Sequence, residues 1–298
     1  MNREHREKIY RVILFASALI ALLVIIMIGG FIFGEGMPIF TKYGLDKVLL
    51  GSKWQPSNHI YGLWPMIIGS IYTTMGALIL GVPLGVLTAI FLAEVAPKRL
   101  VDLVIRPAIE LLAGIPSVVY GLFGMVIIVP AIRALASTIP AYAEDPLLSS
   151  GYGIIAGSII LSIMILPTII SISEDAIRSV PAEYKEGSLA LGATHWQTIS
   201  KVMLPAASSG IIAAVVLGMG RAIGETMAII MVAGNAPIVP DSIFSSVRSL
   251  TGNIAIEMAY SSGEHTKALF ATGIVLFILI MIVNSFALWI SKRGLKNA

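Results

Sequence analysis

Cysteine is absent from the sequence, which rules out disulfides and thiolate metal sites and leaves the compartment open. Charge is scarce as well. Only 12% of the 298 residues are Asp, Glu, Lys or Arg, against about 25% in a soluble domain. The net charge of +3 is small, and the basic residues do not cluster into the patch that nucleic acid would require. No G-x-x-x-x-G-K-[ST] occurs, so the chain has no Walker A motif of its own. A loose G-x-G-x-x-A match at Gly151 lies in an apolar run with no strand before it and carries no weight. His5, His59, His195 and His265 are scattered and none sits in H-E-x-x-H, so a metal or hydrolase site has little support. No nucleophile–base set is visible, which makes an intramembrane enzyme the weakest class.

What the chain has in excess is apolar sequence, 57% by residue with a mean hydropathy of +0.90. A bilayer core needs about 20 residues of helix. Stretches near 12–33, 66–92, 107–133, 151–172, 207–233 and 268–290 meet that length. The first follows Arg3, Arg6, Lys8 and Arg11 like a signal peptide, but it is too long for a signal core and lacks an A-x-A site, so it reads as a retained span. The polar segments between are too short for an independent core. The expected fold is therefore all-α: one membrane domain over 1–298 with six transmembrane helices.

Lysine and arginine placement sets the orientation. With a cytoplasmic N-terminus, inside segments hold thirteen of the 20: Arg3, Arg6, Lys8, Arg11, Lys98, Arg99, Arg106, Arg178, Lys185, Lys201, Lys292, Arg293 and Lys296. Lys42, Lys47, Lys53, Arg133, Arg248 and Lys267 fall outside, and Arg221 falls within a span. Both termini are then cytoplasmic. Trp54, Trp64 and Trp289 read as interfacial anchors.

Gly81-Val82-Pro83, Gly114-Ile115-Pro116 and Pro167 interrupt spans. They read either as simple kinks or as broken helices lining a cavity, where freed backbone groups find partners other than lipid. GxxxG spacings at Gly81/Gly85, Gly153/Gly157 and Gly220/Gly224 offer close helix packing.

Residues 179–205 form the most structured polar segment. Pro181 suits a helix start, with Glu183 and Glu186 on the positive end of its dipole. Gly192 supplies a left-handed stop, Thr194 and Gln197 read as a capping box opening a second helix, and Pro205 marks the next boundary. Such a helix–glycine–helix insert could be a DNA-binding element, an amphipathic connector on the headgroups, or a dock for a cytoplasmic partner. Lys185 and Lys201 set against Glu183 and Glu186 argue against DNA.

Here the chain resembles a family. Glu186, Gly192, Val202, Leu204 and Pro205 match the E-A-A-x-x-x-G-x9-I-x-L-P loop of ABC importer permeases, with Gly187, Ser188 and Val202 as departures. ELLAGIPSVVYGLFG (110–124), LALGATHWQTISKVMLPAA (189–207), GRAIGETMAIIMVAGN (220–235) and HTKALFATGIVLF (265–277) resemble the PstC-type subunits of phosphate-specific Pst importers. The resemblance implies a type I ABC importer permease fold and import of inorganic phosphate by alternating access across the inner membrane of a prokaryote. It implies a PstA-like permease partner, two PstB-like ATPases holding ATP and Mg, and a PstS-like binding protein. No cofactor would be bound by this chain. It also implies that Glu186, Gly192, Ala193, Val202, Leu204 and Pro205 couple to the ATPase. Sulfate, molybdate or another small solute is the rival within the class. A secondary transporter or channel working without ATP is the rival outside it.

The most unusual charges are Arg221 and Glu225. With a fifth helix starting near 207, Arg221 lies roughly 21 Å in at 1.5 Å per residue, and Glu225 follows one turn later on the same face. A charge at mid-membrane costs about 2.5–3.5 kcal/mol on insertion scales. Either the two neutralise each other structurally, or Arg221 meets the passing anion with Glu225 tuning it. The family resemblance favours the pathway role, with Thr226 beside it and Ser117 as a candidate anion contact at a helix start. Arg106 and Glu110, four apart, are expected to form a local pair.

Overall fold

The computed structural model describes residues 3–143, 145 and 148–294. Lys296, one of the cations assigned to the inside, lies outside the described residues. Among the described residues six helices are long and apolar enough to cross a membrane: Tyr10–Tyr43, Trp64–Val95, Ser117–Ser137, Ile154–Arg178, His195–Gly224 and Glu264–Phe286. The elements that matter below are α1 (Arg3–Tyr43), α2 (Leu45–Leu50), a two-stranded hairpin β1 (Trp54–Gln55) and β2 (Ile60–Tyr61), and α3 (Trp64–Val95). They continue with α4 (Arg106–Gly114), α5 (Ser117–Ser137), α6 (Ile154–Arg178), α7 (Ala182–Ala190) and α8 (His195–Gly224). The last three are α9 (Met227–Val232), α10 (Leu250–Glu257) and α11 (Glu264–Gly294).

One helix is the axle. Two-thirds of the most apolar window of α6 is buried, against a third or less in every other span, and Ile160, Leu161, Ile165 and Ile169 are fully enclosed. Helix α3 reaches this axle through glycine. A Cβ on Gly81 would come within 2.9 Å of Ile165, and one on Gly85 within 2.6 Å of Ile169. The first GxxxG pair is thus a packing surface, whereas Gly220 and Gly224 face open space. Helix α1 lies outermost, its apolar window wholly unburied, and meets α11 through edge-on Phe31–Phe270 and Phe33–Phe277 pairs.

Proline does less breaking than its positions imply. Four wide π turns, Phe91–Val95, Val101–Ile105, Gly124–Ile128 and Ile199–Met203, each end just ahead of a proline: Pro97, Pro107, Pro130 and Pro205. In each the N–H after the turn reaches back five residues, as Leu204 does to Ile199. A proline has no N–H, and its ring clashes with the carbonyl four residues back. At Pro97 the wide turn does not absorb these two defects, since Ala96 is extended (ψ 142°) and α3 ends there. At Pro107, Pro130 and Pro205, where the helix continues, a single wide turn absorbs both. So Pro205 does not end a helix: α8 runs through it. Pro83 and Pro167 also lie within unbroken helices.

Two expected spans are corrected. Residues 107–133 are not one helix, because Ile115 and Pro116 are extended (ψ 129° and 142°) and separate α4 from α5. The fifth span starts earlier than 207 and stops at Gly224, where Glu225 turns extended (ψ 134°) before α9 begins.

Candidate functional site

The two breaks are neighbours. Helices α5 and α9 start immediately after them and pack face to face, so close that a Cβ on Gly121 would sit 2.6 Å from the Met231 sulfur and 3.1 Å from Ala228 Cα. Ser117 opens α5 and is half-buried. Tyr120, one turn on, is buried and donates its hydroxyl to the Leu112 carbonyl at 2.6 Å. The structure thereby gathers Ser117, Arg221, Glu225 and Thr226 around adjoining helix ends.

It does not pair Arg221 with Glu225. The expectation of one continuous face fails because the helix stops between them, and no ion pair joins them among the described residues. Glu225 turns to its own neighbour: its Oε1 accepts from the Ala228 N–H at 3.2 Å and supports the first turn of α9. Its carbonyl accepts from Thr251 Oγ1 at 2.9 Å, so α10 holds the extended segment open. Thr226 Oγ1 donates to the Gly224 carbonyl at 3.3 Å. Arg221 is left half-buried in the last turn of α8. There the negative end of the helix dipole favours a cation, and its fork of donors makes no hydrogen bond or ion pair among the described residues. Such a guanidinium can take an oxyanion bidentately.

The insert folds as its local chemistry dictates. Pro181 precedes α7, Gly192 takes φ +85°, and Thr194 and Gln197 form both hydrogen bonds of the capping box. Ser188 and Thr198 share a hydroxyl hydrogen bond of 2.9 Å that fastens α7 to the start of α8. Glu186, Gly192 and Pro205 are exposed, and Ala193, Val202 and Leu204 are half-buried. Alongside them the insert displays Tyr184, Leu191 (90% exposed) and Trp196 (62% exposed). The motif match does not single out these three apolar side chains, although two of them stand inside the matched loop.

The expected Arg106–Glu110 pair is also corrected. Arg106 reaches across to α6, where its Nη2 donates to Glu174 at 3.0 Å and lies 3.5 Å from Asp175. Glu110 is exposed and has no ion pair among the described residues. A second cation, Arg178, donates to the same Glu174 oxygen at 2.8 Å. At the opposite end of the bundle Glu257 is held likewise, by Trp54 Nε1 at 2.8 Å, Arg248 Nη1 at 2.5 Å and His265 Nε2 at 2.8 Å. Trp54 is therefore a buried donor and not an interfacial anchor. A run of one residue type could not have revealed Glu174. The spacing of Glu174 and Arg178, four apart at the end of a span, could have.

Residues 81–295 match the family described as "Binding-protein-dependent transport system inner membrane component". The chain is 39% identical, over 98% of its length and 93% of the relative's, to the "Probable ABC transporter permease protein YqgH" of Bacillus subtilis (strain 168). It is 36% identical, over 92% of its length and 87% of the relative's, to the "Phosphate transport system permease protein PstC" of Pasteurella multocida (strain Pm70). A bacterial alginate ABC transporter, solved in complex with an alginate pentasaccharide-bound periplasmic protein, has a chain of the same fold. The TM-score is 0.58 at 18% identity, covering 96% of this chain and 98% of that one.

Proposed function

We propose, because this chain belongs to the binding-protein-dependent transport system inner membrane component family, that it is the permease subunit of an ATP-driven importer of inorganic phosphate. One observation carries the anion reading: Arg221, half-buried at a helix end beside two breaks, presents its guanidinium without a carboxylate partner among the described residues. An oxyanion entering between the breaks would meet a preformed charge and could still leave, since a single cation binds weakly enough for passage. The likeness to a phosphate permease over most of the chain selects phosphate among the oxyanions.

The remaining parts of the assembly follow the same reading. The insert, with Glu186 and the exposed Tyr184, Leu191 and Trp196, docks on a separate ATPase chain that holds ATP and Mg. The open face of α8 at Gly220 and Gly224 receives a second, PstA-like permease. A PstS-like binding protein delivers the ion at the other end, and both termini lie in the cytoplasm.

Uptake of labelled phosphate into proteoliposomes holding the whole assembly tests this. Arg221→Gln should abolish uptake while the subunits still co-purify, and excess sulfate should not compete in the parent. Sulfate competing as well as phosphate would transfer the reading to another anion. Uptake surviving ATP depletion would discard the importer altogether.

A further inference from the structure

A polar chain links the insert to the first break. Lys185 on α7 gives its Nζ to Glu94 Oε2 at 2.5 Å, and the Glu94 side chain is only 8% exposed. Glu94 belongs to the π turn Phe91–Val95 that ends α3. The same turn offers the Leu92 carbonyl to Arg178 Nη2 at 2.8 Å. Arg178 Nε then holds Glu174, and Glu174 holds Arg106, the first residue of α4.

Helix α4 is built to be moved by its ends. It has no fully buried residue, and only its half-buried Ile109 and Leu112 pack against the core. A π turn precedes it at Val101–Ile105, and the extended Ile115 and Pro116 follow it. A rigid segment between two joints goes where its attachments go. Its attachment at one end is the Arg106–Glu174 contact, and its other end sets where Ser117 and Tyr120 stand.

We propose that Lys185, Glu94, Arg178, Glu174 and Arg106 transmit displacement of the insert to α4, and thereby set the break at Ile115–Pro116 during transport. This rests on the importer reading above and extends it. All five are positioning residues, since none touches the ion. The geometry favours transmission over simple neutralisation because the contacts run in series through four separate segments. Neutralisation alone would need only the Glu174–Arg178 pair within α6.

The absence of cysteine allows spin labels to be placed on this chain at two introduced sites only. Glu183 on α7 and Leu111 on α4 are both exposed and suit labelling. In the complete assembly in nanodiscs, a non-hydrolysable ATP analogue should shift the 183–111 distance by about 2 Å or more. Lys185→Met should leave ATP hydrolysis within about twofold, shrink that shift by half or more, and cut uptake per ATP about tenfold. Exchanging the charges, with Lys185→Glu and Glu94→Lys together, should restore both. Glu174→Gln provides a second interruption further along the chain. A Lys185→Met assembly that shifts and transports like the parent overturns the proposal, as does a charge exchange that assembles but restores nothing. A parent assembly with neither a nucleotide-driven shift nor uptake overturns the importer reading, and this inference with it. A parent that shifts yet carries a different solute removes only phosphate and supports the transmission.

Discussion

Glu257 at the hairpin end and Glu174 at the insert end are both buried carboxylates gripped by two basic side chains, yet they do different work. The partners of Glu257 are themselves enclosed, Arg248 being 13% exposed and His265 17%. They come from within a short stretch that folds back on the hairpin through Trp54. The partners of Glu174 are Arg106, 39% exposed, and Arg178, 26% exposed, and they join separate helices. A charge stranded in a closed site is costly, whereas one that can reach water is not. The hairpin end is therefore a clamp. The insert end is a linkage that can exchange partners without unfolding.

That contrast is broken most directly by removing the two acids in turn. Glu257→Ala leaves Arg248 with only the Asn235 carbonyl at 2.9 Å and Asn253 Oδ1 at 3.1 Å. The expected loss is about 3–5 kcal/mol, read as a large fall in melting temperature and folded yield in detergent. Glu174→Ala should cost less, about 1–3 kcal/mol, because both arginines can turn to solvent. Equal destabilisation by the two substitutions would abolish the distinction between clamp and linkage.

Much of this is legible in the residues alone, and the division is physical. The insert is readable because its signals are local: Pro181, Gly192, Thr194 and Gln197 act within a few residues of themselves. The spans are readable by length. The breaks are not, because proline marks a difficulty and does not say how it is solved. Pro205 is absorbed by a π turn and Pro83 lies exposed within an unbroken helix, while the break at Glu225 has no proline at all. That break is held by Thr251, 26 residues away. Arg221 stands out from sequence alone, but the spacing that pairs it with Glu225 requires an intact helix. The partners of Arg106 and Trp54 lie 68 and 203 residues distant, beyond any periodicity.

The insert offers a finer cut at the same contrast. Gly192 sits at φ +85° with nothing within 4 Å of where a Cβ would stand, so Gly192→Ala meets no clash and only the left-handed backbone penalty. About 1–2 kcal/mol is expected, confined to α7 and the start of α8. Hydrogen exchange should quicken across 182–198 while the melting temperature of the bundle stays put. Exchange quickening throughout the spans would show that the insert is not a separate, linked unit.

The smallest effect is the sharpest comparison. Thr194→Ala removes the side-chain acceptor for the Gln197 N–H at 3.3 Å and leaves the reciprocal Gln197 bond to the Thr194 N–H at 2.9 Å. Half a capping box is lost, worth about 1 kcal/mol. The Ser188–Thr198 hydroxyl bond still fastens the two helices, so the insert should fray at its turn and keep its attachment to Glu94 through Lys185. Transport should then fall no more than about threefold, whereas Lys185→Met, which leaves the cap intact, should do more damage to transport and less to local exchange. Were the ranking reversed, the shape of the insert would matter more than its tether, and the insert end would be a second clamp.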